Sequence, residues 1–463
     1  MSFSTSRSGV DIMLHTRNLL QKLLHRRCIN NQLHQHRVLL SSPLSTTAAT
    51  LPDEANVIVI GGGIIGTSVA YHLSKLGIKD VLLLEKDKLT SGTTWHAAGL
   101  INTFGSLSST STYMRKYTKE LYSNILPQET GMSCGFMPIG FIELACDVDR
   151  LQYYRRVAAF NKYCGVNVVE ISPDEVKDRC PISDTDGKAA GDGSGSKVLP
   201  TVTGVTLSCG KTIKANAVAN CAGMWARQLG EKNGVTIPNQ AAEHYYLITE
   251  PFKEVDPTWP VVEDSSKCVY IRPEGGGLML GLFELMGASW QTEQIPEEGF
   301  SFAEINADYD RMGPYLEEAM KRVPITETVG AKTFFCGPES FTPDGNPIVG
   351  ESAEVRNYFI AAGLNSIGIL TGGGIGKILA QWIRDGRAPC DVDVTAIDAS
   401  RFHKYQNNPM YRADRVGETL GNTYKVHYPD KQPKTCKFVK FTMLSTNLYG
   451  VCFLSNLYVL FLS

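Results

Sequence analysis

Val57-Ile58-Val59-Ile60-Gly61-Gly62-Gly63-Ile64-Ile65-Gly66 is the stretch that decides the fold of this 463-residue chain. Four apolar residues in a row read as a short parallel strand buried on both faces. Gly61-x-Gly63-x-x-Gly66 follows at once, and Ile65, Val69, Leu73 and Leu76 then recur at helical spacing up to Gly77, a C-cap residue. Val81 to Leu84 form a second apolar strand and close a βαβ unit. Each glycine has a task there: a tight turn at Gly61, close approach of the backbone to a pyrophosphate at Gly63, and close helix–strand contact at Gly66. Ile64 and Ile65 open a helix whose free N–H groups and partial positive charge suit phosphates. Glu85, with Lys86 beside it, ends the second strand 19 residues past Gly66, where a carboxylate accepts hydrogen bonds from a ribose hydroxyl pair. The pattern specifies a dinucleotide site with a free ribose; by itself it does not separate NAD from FAD.

Working outward, Ile213 to Ala222 and Tyr358 to Ala362 read as further strands of the same sheet. Asn365 to Gly376 reads as a glycine-rich turn that feeds a helix through Ile383. Phe141–Ala145, Tyr245–Thr249, Val269–Arg272 and Leu278–Leu282 alternate with loops, as in an inserted antiparallel sheet. The expectation is an α/β protein: a Rossmann-like nucleotide-binding domain in three pieces (53–135, 197–235 and 330–400) and a substrate domain (136–183 and 236–329). Asp184–Ser196, polar and glycine-rich, is expected to be a flexible loop, and residues 401–463 a C-terminal extension.

A formal net charge of -2 argues against a broad basic face for nucleic acid. The 12 cysteines contain no Cys-x-x-Cys pair, so no metal site is expected, and they read as small core hydrophobes in a reducing compartment. Residues 1–50 carry six Lys and Arg side chains against the single acid Asp11, with a leucine stripe and frequent Ser and Thr. That is the composition of a mitochondrial transit peptide. Phe441 to Ser463 holds no charged side chain, but Ser445, Asn447, Gly450 and Asn456 interrupt its apolar content, so no membrane span is expected.

Ser91-Gly92-Thr93-Thr94-Trp95-His96-Ala97-Ala98-Gly99-Leu100 resembles the flavin-attachment segment of the sarcosine and dimethylglycine dehydrogenase family. Cys336-Gly337-Pro338-Glu339-Ser340-Phe341-Thr342-Pro343-Asp344 and Gly363-Leu364-Asn365-Ser366 with Gly372–Gly376 are similar to it as well. The resemblance implies a D-amino-acid-oxidase-like fold and FAD, bonded covalently through His96. It implies flavin contacts from Trp225 and from the segment Asn365, Ser366, Gly368, Ile369, Leu370 and Thr371. By the same token His244 and Tyr270 line the amine pocket, though both also read well as packed strand aromatics. The implied activity is oxidative N-demethylation of a small N-methyl amino acid in the mitochondrial matrix, sarcosine ahead of dimethylglycine, with electrons passed to electron-transfer flavoprotein. A non-catalytic relative, the regulatory subunit of pyruvate dehydrogenase phosphatase, shares the stretch Gly66–Lys75, and His96 argues for the enzyme. Two departures stand out: Asp184–Ser196 replaces a strand–helix–strand passage of the family's FAD domain, and the chain stops ahead of the family's folate-binding domain.

Overall fold

The computed structural model describes residues 51–145, 148–180, 201–293 and 300–423, and two short strands, Cys452–Leu454 and Leu457–Val459, that pair antiparallel. The expectations for residues 1–50 and 184–196 lie outside the described residues. In chain order the elements that shape the site are β1 (Glu54–Ile60), α1 (Ile64–Lys75), β2 (Val81–Leu84), α2 (Ser109–Glu120), β3 (Phe141–Glu143), α3 (Val148–Tyr163), β4 (Gly204–Thr206), β5 (Thr212–Asn220), β6 (Gln240–Thr249), β7 (Val261–Asp264), β8 (Val269–Glu274), β9 (Gly277–Leu282), α4 (Tyr309–Arg322), β10 (Ala331–Phe341), β11 (Ile348–Glu351), β12 (Tyr358–Ala362), α5 (Gly368–Asp385) and α6 (Pro409–Asn422).

The first sheet runs β11-β12-β5-β1-β2, parallel except for β11, with β4 laid antiparallel beside β5. The apolar run of β1 is buried on both faces. Val57 and Val59 pack with Val69 and Leu73 of α1 and with Ile375 and Ile378 of α5. Ile58 packs on the opposite face with Ile213 and Val218. β2 is the edge strand among the described residues, and Val81, Leu82, Leu83 and Leu84 are all only half-buried.

One sequence expectation is corrected at α5. Gly372, Gly373, Gly374 and Gly376 do not form a turn; they lie inside this helix, which begins at Gly368. They are small because helices approach there. A Cβ at Gly374 would stand 2.4 Å from the Cα of Met114 on α2, and one at Gly376 would stand 2.2 Å from Ser68 Oγ on α1. Close packing, rather than turn geometry, accounts for these glycines.

The second sheet runs β10-β6-β9-β8-β7-β3 and is antiparallel except between β3 and β7. Period-2 alternation sends Tyr245, Leu247, Leu278 and Leu280 to one face, where Met312, Leu316 and Met320 of α4 cover them. His244, Tyr246, Tyr270 and Phe335 take the other face, which lines the cavity between the two sheets. The boundary expected at residue 330 is also corrected: Ala331–Phe341 pairs along its length with β6 and belongs to this second sheet. That pairing joins segments roughly ninety residues apart, and local apolar pattern carries no sign of it. Val416 and Leu420 of α6 return to pack on Ala242 and Phe341. Eight cysteines among the described residues are free, no helix among the described residues is long and apolar enough to cross a membrane, and no group of metal-ligating side chains occurs among them.

Candidate active site

A single cavity of about 1720 Å³ runs from the end of β1 across to the second sheet. At its nucleotide end Gly61 sits at φ +112°, and a Cβ there would lie 2.4 Å from the Cys221 carbonyl oxygen. Gly66 lies behind the wall, where a Cβ would meet the Gly61 carbonyl at 1.8 Å, so its task is packing. Gly63, Ile64 and Ile65 line the cavity where α1 begins with no side-chain cap at Gly63. The Ile64 N–H donates to Thr94 Oγ1 at 3.0 Å. Glu85 lines the same end, and its carboxylate accepts from the N–H groups of Gly62, at 2.7 Å, and Asp87, at 3.0 Å. Lys86 Nζ lies 4.3 Å from the centre of the Trp225 ring, which leans over Gly92.

The middle of the wall is the segment 92–100. Gly92, Thr93, Thr94, His96, Ala97, Ala98, Gly99 and Leu100 all face the cavity. A 3₁₀ turn over Thr94–His96 turns Trp95 out of it, edge-on to Phe302 and Phe335. The His96 ring is 7% exposed and stands 5.1 Å from the Phe335 ring. It has room because β10 carries a glycine there: a Cβ at Gly337 would stand 3.0 Å from His96 Cε1. Burial lowers the His96 pKa, against an opposing pull from Glu339, which leaves the imidazole neutral at pH 7.

Opposite lies the start of α5. Asn365 and Ser366 hold left-handed backbone, φ +48° and +65°, pinned by the Thr342 N–H donating to Asn365 Oδ1 at 2.9 Å. Ser366, Gly368, Ile369 and Leu370 line the cavity, and the helix opens with no side-chain cap. Thr371 is fully buried behind them and donates to the Ile367 carbonyl.

The far end is built on the second sheet. His244 on β6 stands opposite Gly337 on β10, and its ring is 4.4 Å from Phe283. Its Nδ1 is buried with no hydrogen-bond partner, and burial lowers its pKa. Tyr270 on β8 lies across Gly281, where a Cβ would fall 1.8 Å from the ring, and burial raises its pKa. Tyr246 stacks on Phe335 with centres 4.6 Å apart. Sequence reasoning assigned no role to Gly281, Phe283, Phe335, Gly337 or Glu339; the alternation Phe335-x-Gly337-x-Glu339 was the available signal. It also passed over a polar annex of the cavity, where Arg115, Glu143, Arg150, Tyr153, Tyr154 and Glu263 converge from α2, β3, α3 and β7.

The donor set fits FAD. Glycines clear the backbone for a pyrophosphate, two helices start at the cavity with no cap from their own N-cap side chains, and a neutral imidazole lines the same cavity. The profile of the family described as "FAD dependent oxidoreductase" matches residues 56–198 and 194–382, and that of "FAD dependent oxidoreductase central domain" matches residues 385–437. Human mitochondrial sarcosine dehydrogenase is 33% identical over 440 residues, covering 86% of this chain and 47% of that protein. The 4-methylaminobutanoate oxidase (formaldehyde-forming) of Paenarthrobacter nicotinovorans is 36% identical over 447 residues, covering 88% of this chain and 53% of that protein. The chain thus spans about half the length of the curated relatives it matches. Among solved structures, L-proline dehydrogenase from P.horikoshii superimposes with a TM-score of 0.60 at 23% identity, over 78% of this chain and 98% of that one. With the profile covering both sheets and the cavity between them, the chain belongs to the FAD-dependent oxidoreductase family.

Proposed function

We propose that this chain oxidises the N-methyl group of a small amino acid, sarcosine first, with FAD held covalently through His96. The observation that carries the reading is the neutral, buried His96 imidazole in the cavity wall, facing a sheet that presents His244 and Tyr270. Gly61, Gly63 and the N-terminus of α1 would hold the pyrophosphate, Glu85 the ribose, and the N-terminus of α5 the negative charge of the reduced ring. Bound FAD supplies the two-electron acceptor for the amine carbon. The chain's own residues bind and aim the substrate. Tyr270, a neutral phenol, donates to its carboxylate, and His244 Nδ1 offers a hydrogen-bonding atom that no protein group satisfies. Phe283, Phe335 and Tyr246 exclude water around the methyl group. Positioning does most of the work, because amine oxidation needs an aligned C–H more than a strong base. Passage of electrons to electron-transfer flavoprotein and residence in the mitochondrial matrix belong to the same reading.

Anaerobic mixing of the purified flavoprotein with sarcosine, dimethylglycine, 4-methylaminobutanoate and glycine tests it. The expected outcome is flavin bleaching by the N-methyl compounds and none by glycine. Flavoprotein that stays oxidised with all four would fit the non-catalytic subunit instead.

A further inference from the structure

Glu339 is a charged group in the cavity that the reading above leaves without a task. It sits on β10 opposite Ala242 of β6, two residues beyond Gly337, so strand alternation sends it to the same face as His244 and Tyr246. It lines the cavity, and its Oε2 is buried with no hydrogen-bond partner. Among the described residues it makes no ion pair. It lies near enough to act on the His96, His244 and Tyr270 side chains, and all three are neutral at pH 7. Arg272, the cation on β8, is committed elsewhere: Nε donates to the Ala98 carbonyl, and Nη1 pairs with Glu274 at 2.6 Å.

The buried Oε2 of that carboxylate loses hydration that no protein group replaces. Ligand charge can replace it. We infer that Glu339 receives the protonated amine of the substrate and selects a cationic N-alkyl ammonium over a neutral isostere. The inference rests on the substrate reading above. It also sets orientation. The substrate carboxylate is repelled from Glu339 and turns away.

The test pairs sarcosine with methoxyacetate, in which an ether oxygen replaces the ammonium nitrogen. The Kd of sarcosine comes from rapid-mixing bleaching, and that of methoxyacetate from its competition with sarcosine. In the unaltered protein, sarcosine is expected to bind at least 10-fold tighter than the ether. In Glu339→Gln, which keeps shape and loses charge, that ratio is expected to fall at least 10-fold with flavin content unchanged. A ratio unaltered in a Glu339→Gln protein that retains its flavin overturns the inference, as does an ether that matches sarcosine in the unaltered protein. The second comparison needs no variant and stands even where Glu339→Gln fails to fold. If no N-methyl amine bleaches the flavin, the substrate reading falls and takes this one with it. Bleaching with an unaltered ratio removes only Glu339.

Discussion

His72 gives the clearest case of one residue tying the fold to pH. It is 4% exposed; Nδ1–H donates to the Ser68 carbonyl at 2.7 Å and Nε2 accepts from the Tyr117 hydroxyl at 2.8 Å, which fixes the neutral ring. Burial lowers its pKa from 6.5 to about 4. The unfolded chain therefore takes up a proton at His72 near pH 6.5 while the folded chain refuses it until about pH 4, and acid favours unfolding across that window. The stability contributed is present above pH 6.5 and lost as pH falls, about 3 kcal/mol at most. A midpoint-versus-pH series should be flat above 6.5 and fall below it, and His72→Gln should flatten the fall. His244, also lowered by burial, adds to the slope with the same sign. Gly281 offers a second test at this scale. Gly281→Ala would put a methyl group inside the Tyr270 ring, so the ring must move, and kcat/KM for the amine should drop about 100-fold while flavin stays bound. An unchanged kcat/KM would remove Tyr270 from the site.

Helix α5 shows how an element can be legible in kind and misread in role. Its glycines announce a special backbone, but sequence alone does not say whether special means a turn or a close approach. The answer lies in α1 and α2, which press Ser68 and Met114 against it. Gly374→Ala should therefore cost about 1–3 kcal/mol or more through overpacking against Met114, read as a lowered denaturation midpoint. A midpoint equal to the parent's would mean the helices stand further apart than described. The strand, helix and strand of the first βαβ unit, by contrast, were legible from the local sequence. Strand, turn, helix and acid lie within 32 residues, from Glu54 to Glu85, and every constraint on them is local. Among the described residues β2 is the edge strand, with Val81 to Leu84 half-buried, and each Å² of apolar surface left in water there forgoes roughly 25 cal/mol. Incomplete flavin incorporation is the expected consequence, measurable as substoichiometric flavin in the purified protein; full stoichiometry would count against it.

At the scale of the molecule, the site exists because two sheets face each other. Residues from one wall of the cavity, such as His96, meet residues from the other, such as Gly337, across more than two hundred positions of sequence. Spacing cannot carry that information. His96, His244 and Tyr270 entered by resemblance, whereas Gly281 and Phe283 had none, Glu339 lay in a resembling stretch that gave it no role, and all three emerged only once β10, β6, β9 and β8 were laid side by side. The annex around Arg115 and Glu143 was hidden for the same reason: four elements contribute and none of them has a motif. The proposed attachment of flavin to the neutral His96 imidazole held between these walls is the central claim. Acid precipitation tests that directly: flavin should remain with the precipitated protein and map by mass to the peptide containing His96, while His96→Ala should release all of it. Complete release from the unaltered protein, or flavin retained by His96→Ala, would contradict the account.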